Sequence, residues 1–163
     1  MNNLQSLSFY FPELIVTIIV LVAIIYDLFI DKTKSYKVGW ILSIGLLIVS
    51  FSIWKQEMIV TTLFTDVIVL DPFASFFKQI IIFATILISI VSLYSDELSD
   101  YRKGEYFSLL GIITFGLFMM VSAVDLIILY ISIEIVSIMS FVLAGYLKKD
   151  TFSNEASLKY VLY

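Results

Sequence analysis

Long apolar runs alternate with short polar breaks along the chain, and the run lengths predict helices that cross a membrane. A crossing helix needs about 20 consecutive apolar residues. The first such run covers about 11–30, with Pro12 and Glu13 in its opening turn, where proline's missing N–H would have lacked a partner in any case. The second covers about 38–54 and carries no charge. A mixed stretch, MIVTTLFTDVIVLD, is rich in Val, Ile and Thr and broken by Asp66, so it reads as an extended or hairpin connection.

The third run opens on Asp71-Pro72, an N-cap and first-turn pair, and continues to about residue 94. From Tyr106 to Leu147 the chain is apolar almost without relief. As one helix that stretch would be about 63 Å long, twice the roughly 30 Å of hydrocarbon, so the chain must turn back inside it. The polar cluster Ser122-Ala-Val-Asp125 marks a tight turn, with Asp125 or Ser122 as the cap, between helices at about 106–121 and 125–147. A last helix is expected over 154–163, with Glu155 in its first turn. At about ten residues it is too short to span. The expected fold is therefore all-α, a polytopic transmembrane bundle of five full spans plus the start of a sixth, within a single membrane domain that forms the front part of something longer.

Composition agrees with this pattern. Hydrophobic residues make up 61% of the chain and charged ones 15%, where soluble domains hold roughly 45–50% and about 25%. No Lys or Arg precedes Lys32 and no small-x-small cleavage pattern follows the first run, so that run is expected to stay as a membrane helix. Lys32, Lys34 and Lys37, then Arg102 and Lys103, then Lys148 and Lys149 occupy alternate loops, whereas the intervening loops hold Lys55. The positive-inside rule then places those three basic loops in the cytoplasm and the N-terminus outside.

The chain has no cysteine and no histidine, hence no thiolate or imidazole for an iron–sulfur cluster, haem or zinc. Its net charge of -4 and the lack of a basic stretch interleaved with aromatics argue against nucleic-acid binding. A phosphate loop and a nucleophile motif are also lacking.

Chemistry must then come from charges placed in the membrane. Glu13 and Asp27 lie near helix ends and read as interfacial structural groups; Lys78, about two turns into the third helix, reads as a side chain that snorkels to the interface, with a buried site as the alternative. Glu134, in YISIEIVSI, is different. It lies about 13–14 Å from Asp125 and about 21 Å from Lys148 along the helix, too deep for its short side chain to reach water. A charge at such a depth costs about 2.5–3.5 kcal/mol on insertion scales, a cost reduced by facing protein or internal water. Tyr130, Ser137, Ser140, Ala144 and Gly145 share its side of the helix, whereas Ile128, Ile135, Val136, Met139, Val142 and Leu143 lie opposite. Small and hydroxyl residues favour close helix packing in membranes. The Glu134 side is thus expected to face the bundle and the aliphatic side lipid. A carboxyl there can switch protonation with its surroundings, or can be neutral and bond across helices as glue. Lys159 is a second candidate, although Glu155 four residues earlier offers it an ordinary ion pair.

The order PELIV, DLF, DPFASFFK, GEYFSLL and SAVDLIILYISIEIVSIMSFVLAGYLKKDTFSNEASLKYVLY resembles the subunit N family of respiratory NADH–quinone oxidoreductase, antiporter-like membrane subunits equivalent to mitochondrial NADH dehydrogenase subunit two. The segment 130–163 carries the most specific part of the resemblance. It implies a proton-translocating membrane-arm subunit without a redox centre of its own, alongside other membrane-arm subunits; FMN, iron–sulfur clusters and quinone belong to partners. It implies a proton relay through Glu134 and Lys159, with a further lysine partner beyond residue 163, and a bacterial inner membrane in preference to an organelle's. A subunit of a multi-subunit sodium/proton antiporter is the alternative from the same superfamily, and a non-transporting membrane scaffold is the alternative from another class.

Overall fold

A computed structural model describes residues 3–56, 60–96, 98, 103–147 and 150–162, the side chains of 3–5 and of residue 32 excepted. Arg102, Lys148 and Lys149, on which part of the orientation argument rests, lie outside the described residues. The elements are α1 (Asn3–Phe9), α2 (Phe11–Phe29), a 3-10 turn (Lys32–Lys34), α3 (Lys37–Gln56), β1 (Thr61–Leu63), β2 (Ile68–Leu70), α4 (Pro72–Leu93), α5 (Lys103–Ser122), α6 (Leu126–Ala144) and α7 (Thr151–Leu162). Five of these, α2 to α6, are long and apolar enough to cross a membrane. At 19 to 22 residues they measure about 28–33 Å, matched to the hydrocarbon thickness.

Sequence chemistry fixes the helix starts. Asp71 accepts the Ala74 N–H at 2.6 Å and Pro72 opens α4. Asp125 accepts the Ile127 N–H at 2.6 Å and caps α6. The short helix α1 was not predicted, and α7 begins at Thr151, three residues before the expected start, because Asp150 accepts the N–H groups of Phe152 and Ser153. Only three residues, Ala123 to Asp125, join α5 to α6. They are pinned by the hairpin: the N–H groups of Val124 and Asp125 donate to Val67 O, and Ala123 bridges Ile68.

The hairpin itself is antiparallel, pairing Thr61 with Leu70 and Leu63 with Ile68. Its turn places three successive non-glycine residues, Phe64, Thr65 and Asp66, in the left-handed region, with φ of 52°, 58° and 67°. Asp66 is held there by the Thr62 hydroxyl, and Phe64 by edge contact with Tyr10 and a hydrogen bond from its N–H to Ser6 Oγ. The hairpin and α1 thus cover one end of the bundle, called the hairpin end below.

Helices α2, α3, α4 and α5 form a ring in which each packs on the next, α3 and α5 also touch, and α2 and α4 stand on the long diagonal. Val16, Val20, Leu42, Leu46, Val49, Ile82, Phe107 and Phe118 fill its centre. Outward, Ile18, Leu47, Phe83 and Val91 are exposed, an apolar surface suited to lipid or to further protein. Helix α6 packs on α5, and α7 on α6.

Candidate functional site

Glu134 sits two and a half turns into α6 with an exposed side chain, and Tyr130, one turn earlier, donates its hydroxyl to Glu134 Oε1 at 2.9 Å. The orientation of α6 corrects the facing expected from its sequence. Its contact with α5 runs through the aliphatic side: a Cβ placed on Gly116 would lie 2.9 Å from Val136 Cγ2 and 3.0 Å from Ile135 Cγ2. Ser132, the most buried residue of α6, is on that side too and donates to Ile128 O at 2.6 Å within its own helix. Glu134, Tyr130, Ile131 and Ile138 point away from the ring. The hydroxyl stripe misled because Gly116 gives α5 a groove into which β-branched side chains fit, so aliphatic packing decides that interface.

Helix α7 lies along the Glu134 side of α6, but nearer the other end. Ser153 donates to Ala144 O at 2.6 Å, Ser157 donates to Phe141 O at 3.0 Å, and Tyr160 meets Phe141 edge to face with centroids 4.9 Å apart. The helices therefore run antiparallel. Lys159 lies roughly 7–8 Å short of Glu134 along the axis, since Phe141 is seven residues from Glu134 and Lys159 two beyond Ser157. Its ammonium pairs with Glu155 at 2.7 Å, both side chains being more than half exposed. The structure does not bring Glu134 and Lys159 into contact.

It does bring together a pair that the sequence reading kept apart. Lys78 does not snorkel: it is 2% exposed, and its Nζ donates to Glu13 Oε1 at 2.5 Å, Glu13 being equally buried. Glu13, in the first turn of α2, is buried against Lys78 and does not face the surface. The ion pair spans the long diagonal of the ring, and the Phe118 ring lies 5.9 Å from the ammonium. A signal existed in the sequence. In a serpentine bundle the first and third spans run parallel, so opposite charges near their starts lie at comparable depth.

Asp27 is likewise buried. Ser35 donates to its Oδ1 at 2.5 Å while accepting the Gly104 N–H at 2.7 Å, which ties the α2 end to the start of α5. A cavity of about 380 Å³ beside it is lined by Ile24, Leu28, Glu105, Ser108 and Ile112. Lys103 donates to Leu93 O at 2.9 Å and to Ser95 O at 3.1 Å, so a cation covers the carbonyl end of α4. Among the described residues no group of three His, Cys, Asp or Glu side chains is placed to hold a metal ion.

Five apolar spans, one of them with a carboxylate seated deep in it, define a multi-pass helical membrane protein. Residues 123–163, which hold Glu134 and Lys159, match the transmembrane family described as NADH:quinone oxidoreductase/Mrp antiporter. The chain is 36% identical over 160 residues, 96% of its length, to NADH-quinone oxidoreductase subunit N 2 of Chloroherpeton thalassium, and 35% identical over 165 residues to subunit N of Anaeromyxobacter sp.. It is 28% identical over 165 residues, 96% of its length, to F(420)H(2) dehydrogenase subunit N of Methanosarcina mazei. On these matches the chain is similar, over nearly its whole length, to part of subunit N of NADH-quinone oxidoreductase. It spans about a third of the length of the curated relatives it matches, 31%, 32% and 33% of these three.

Proposed function

We propose that the chain is part of an antiporter-like membrane-arm subunit of NADH–quinone oxidoreductase, in which Glu134 and Lys159 carry protons driven by quinone reduction in neighbouring subunits. The observation that carries this reading is Glu134 itself. A carboxylate sits deep in an otherwise apolar span, held by Tyr130, on a face that α2 to α5 leave open. A carboxyl there responds to the charge of whatever covers that face, since a nearby cation favours its ionised form and desolvation disfavours it. Lys159, on the helix that continues toward Glu134, is the next group in line, with water or further helices completing the path. The chain supplies no electron carrier in this account; FMN, iron–sulfur clusters and quinone belong to partner subunits.

The Mrp antiporter part of the family description favours a second reading, a subunit of a sodium/proton antiporter. Affinity purification of the full-length subunit from its native membrane separates the two. Copurifying flavin and iron–sulfur proteins support the oxidoreductase; a set of purely membrane partners favours the antiporter. Lys34, Lys37 and Lys103 at one end and Lys55 at the other support an orientation with the N-terminus outside, in what the subunit N reading makes a bacterial inner membrane. A cysteine at the exposed Tyr36 tests that orientation, because labelling confined to the outside would overturn it.

A further inference from the structure

We propose that Glu13 and Lys78 form a second proton-exchanging centre, coupled through an ordered water at Glu13 Oε2 to the aqueous phase at the hairpin end, and separate from Glu134. One carboxylate oxygen, Oε1, takes the Lys78 ammonium. The other, Oε2, is fully buried and has no hydrogen-bond partner among the described residues. A buried carboxylate oxygen without a donor is costly, and polar interior sites of this kind take ordered water. Stability alone gives poor reason for the pair, since a buried ion pair replaced by apolar side chains of similar volume is often neutral or stabilising.

Of the three other buried side-chain oxygens without a hydrogen-bond partner among the described residues, Ser108 Oγ lies away from this end, whereas Gln56 Oε1 is at the last turn of α3 and Ser122 Oγ at the last turn of α5. The latter two belong to the hairpin end, as do the first turn of α2 and the start of α4. Lys78 is six residues into α4, about 9 Å from that end. The other titratable groups there among the described residues are committed elsewhere: Asp66 to Thr62, Asp71 to the Ala74 N–H, Asp125 to the Ile127 N–H, and Lys55 to the Phe51 ring. Tyr10 donates its hydroxyl to Met119 Sδ at 2.6 Å, and burial together with the Glu13 charge pushes its phenol well above the usual range. It stays a neutral donor. In the exchange, a hydronium at the water site breaks one O–H bond, Oε2 gains an O–H bond, and a water molecule is left; the reverse returns the proton. Lys78 takes no part in this step, and the net charge of the centre rises by one on proton uptake and falls by one on release.

The inference stands on the geometry of the pair and does not require Glu134 to carry protons. It is tested by infrared difference spectra, between acid and alkaline buffer in normal and heavy water, on the assembled complex containing the full-length chain. A protonated-carboxyl band is expected that shifts in heavy water, is lost in Glu13→Gln and survives in Glu134→Gln. Lys78→Arg, which keeps the charge while moving its donors, should shift the midpoint of the same band, so identification does not depend on Glu13→Gln assembling. A native spectrum lacking such a band, a band unchanged in Glu13→Gln, or a midpoint unmoved by Lys78→Arg would overturn the proposal.

Discussion

Tyr130 donates its hydroxyl to Glu134 across one turn of α6, on the side turned away from α5. The hydrogen bond occupies one of the two carboxylate oxygens and leaves the other to whatever covers that face. Tyr130→Phe removes the donor while keeping the ring. On the relay account the complex still assembles and reduces quinone, and proton pumping slows about two- to tenfold, the value of one hydrogen bond. Proton uptake by vesicles, normalised to electron transfer, measures this.

Glu13 and Lys78 should depend on each other for stability. Lys78→Met strands a buried carboxylate and should destabilise by about 3–5 kcal/mol, whereas Glu13→Leu combined with Lys78→Met should recover most of the loss. Thermal unfolding of the detergent-solubilised complex, across the two single variants and the double, reads the coupling directly.

Ser35 is a two-sided link at the opposite end. Ser35→Ala takes a donor from Asp27 and the acceptor from the Gly104 N–H, at a cost of about 1–3 kcal/mol. Gly104→Ala should cost more, because its Cβ would lie 2.0 Å from Asp27 Oδ1 with Ser35 Oγ at 2.7 Å. Equal thermal shifts for the two variants would refute this ordering.

The approach of α6 to α5 depends on Gly116. Gly116→Ala pushes its methyl against Val136 and Ile135 and should destabilise by about 1–3 kcal/mol. Val136→Ala in the same chain should relieve part of the crowding, so the two substitutions are expected to be less damaging together than their separate effects summed. Additive losses would place the contact elsewhere.

The periodicity of the sequence carried the five spans and their caps well, because a bilayer leaves apolar run length as the main variable and Asp71-Pro72 and Asp125 are strong local start signals. Helix α1 escaped because a seven-residue helix has no span-length signature. The facing of α6 escaped for another reason. A helical wheel sorts residues by polarity, but the seat on α5 was set by the bare backbone at Gly116, a property of the partner helix. Glu134 was legible as an anomaly of depth. Glu13–Lys78 was not read as a site, because each charge had an adequate local explanation and the link between them exists only once α2 and α4 stand parallel across the ring.

The central claim is that Glu134 changes protonation as part of proton transfer. Glu134→Gln in the full-length subunit keeps size and hydrogen bonding but cannot ionise, and the ratio of protons pumped to electrons transferred by the reconstituted complex is the deciding measurement. The account predicts normal assembly with a lowered ratio. An assembled Glu134→Gln complex that pumps at the native ratio would contradict it, leaving Glu134 a structural group and the chain a scaffold in the membrane arm.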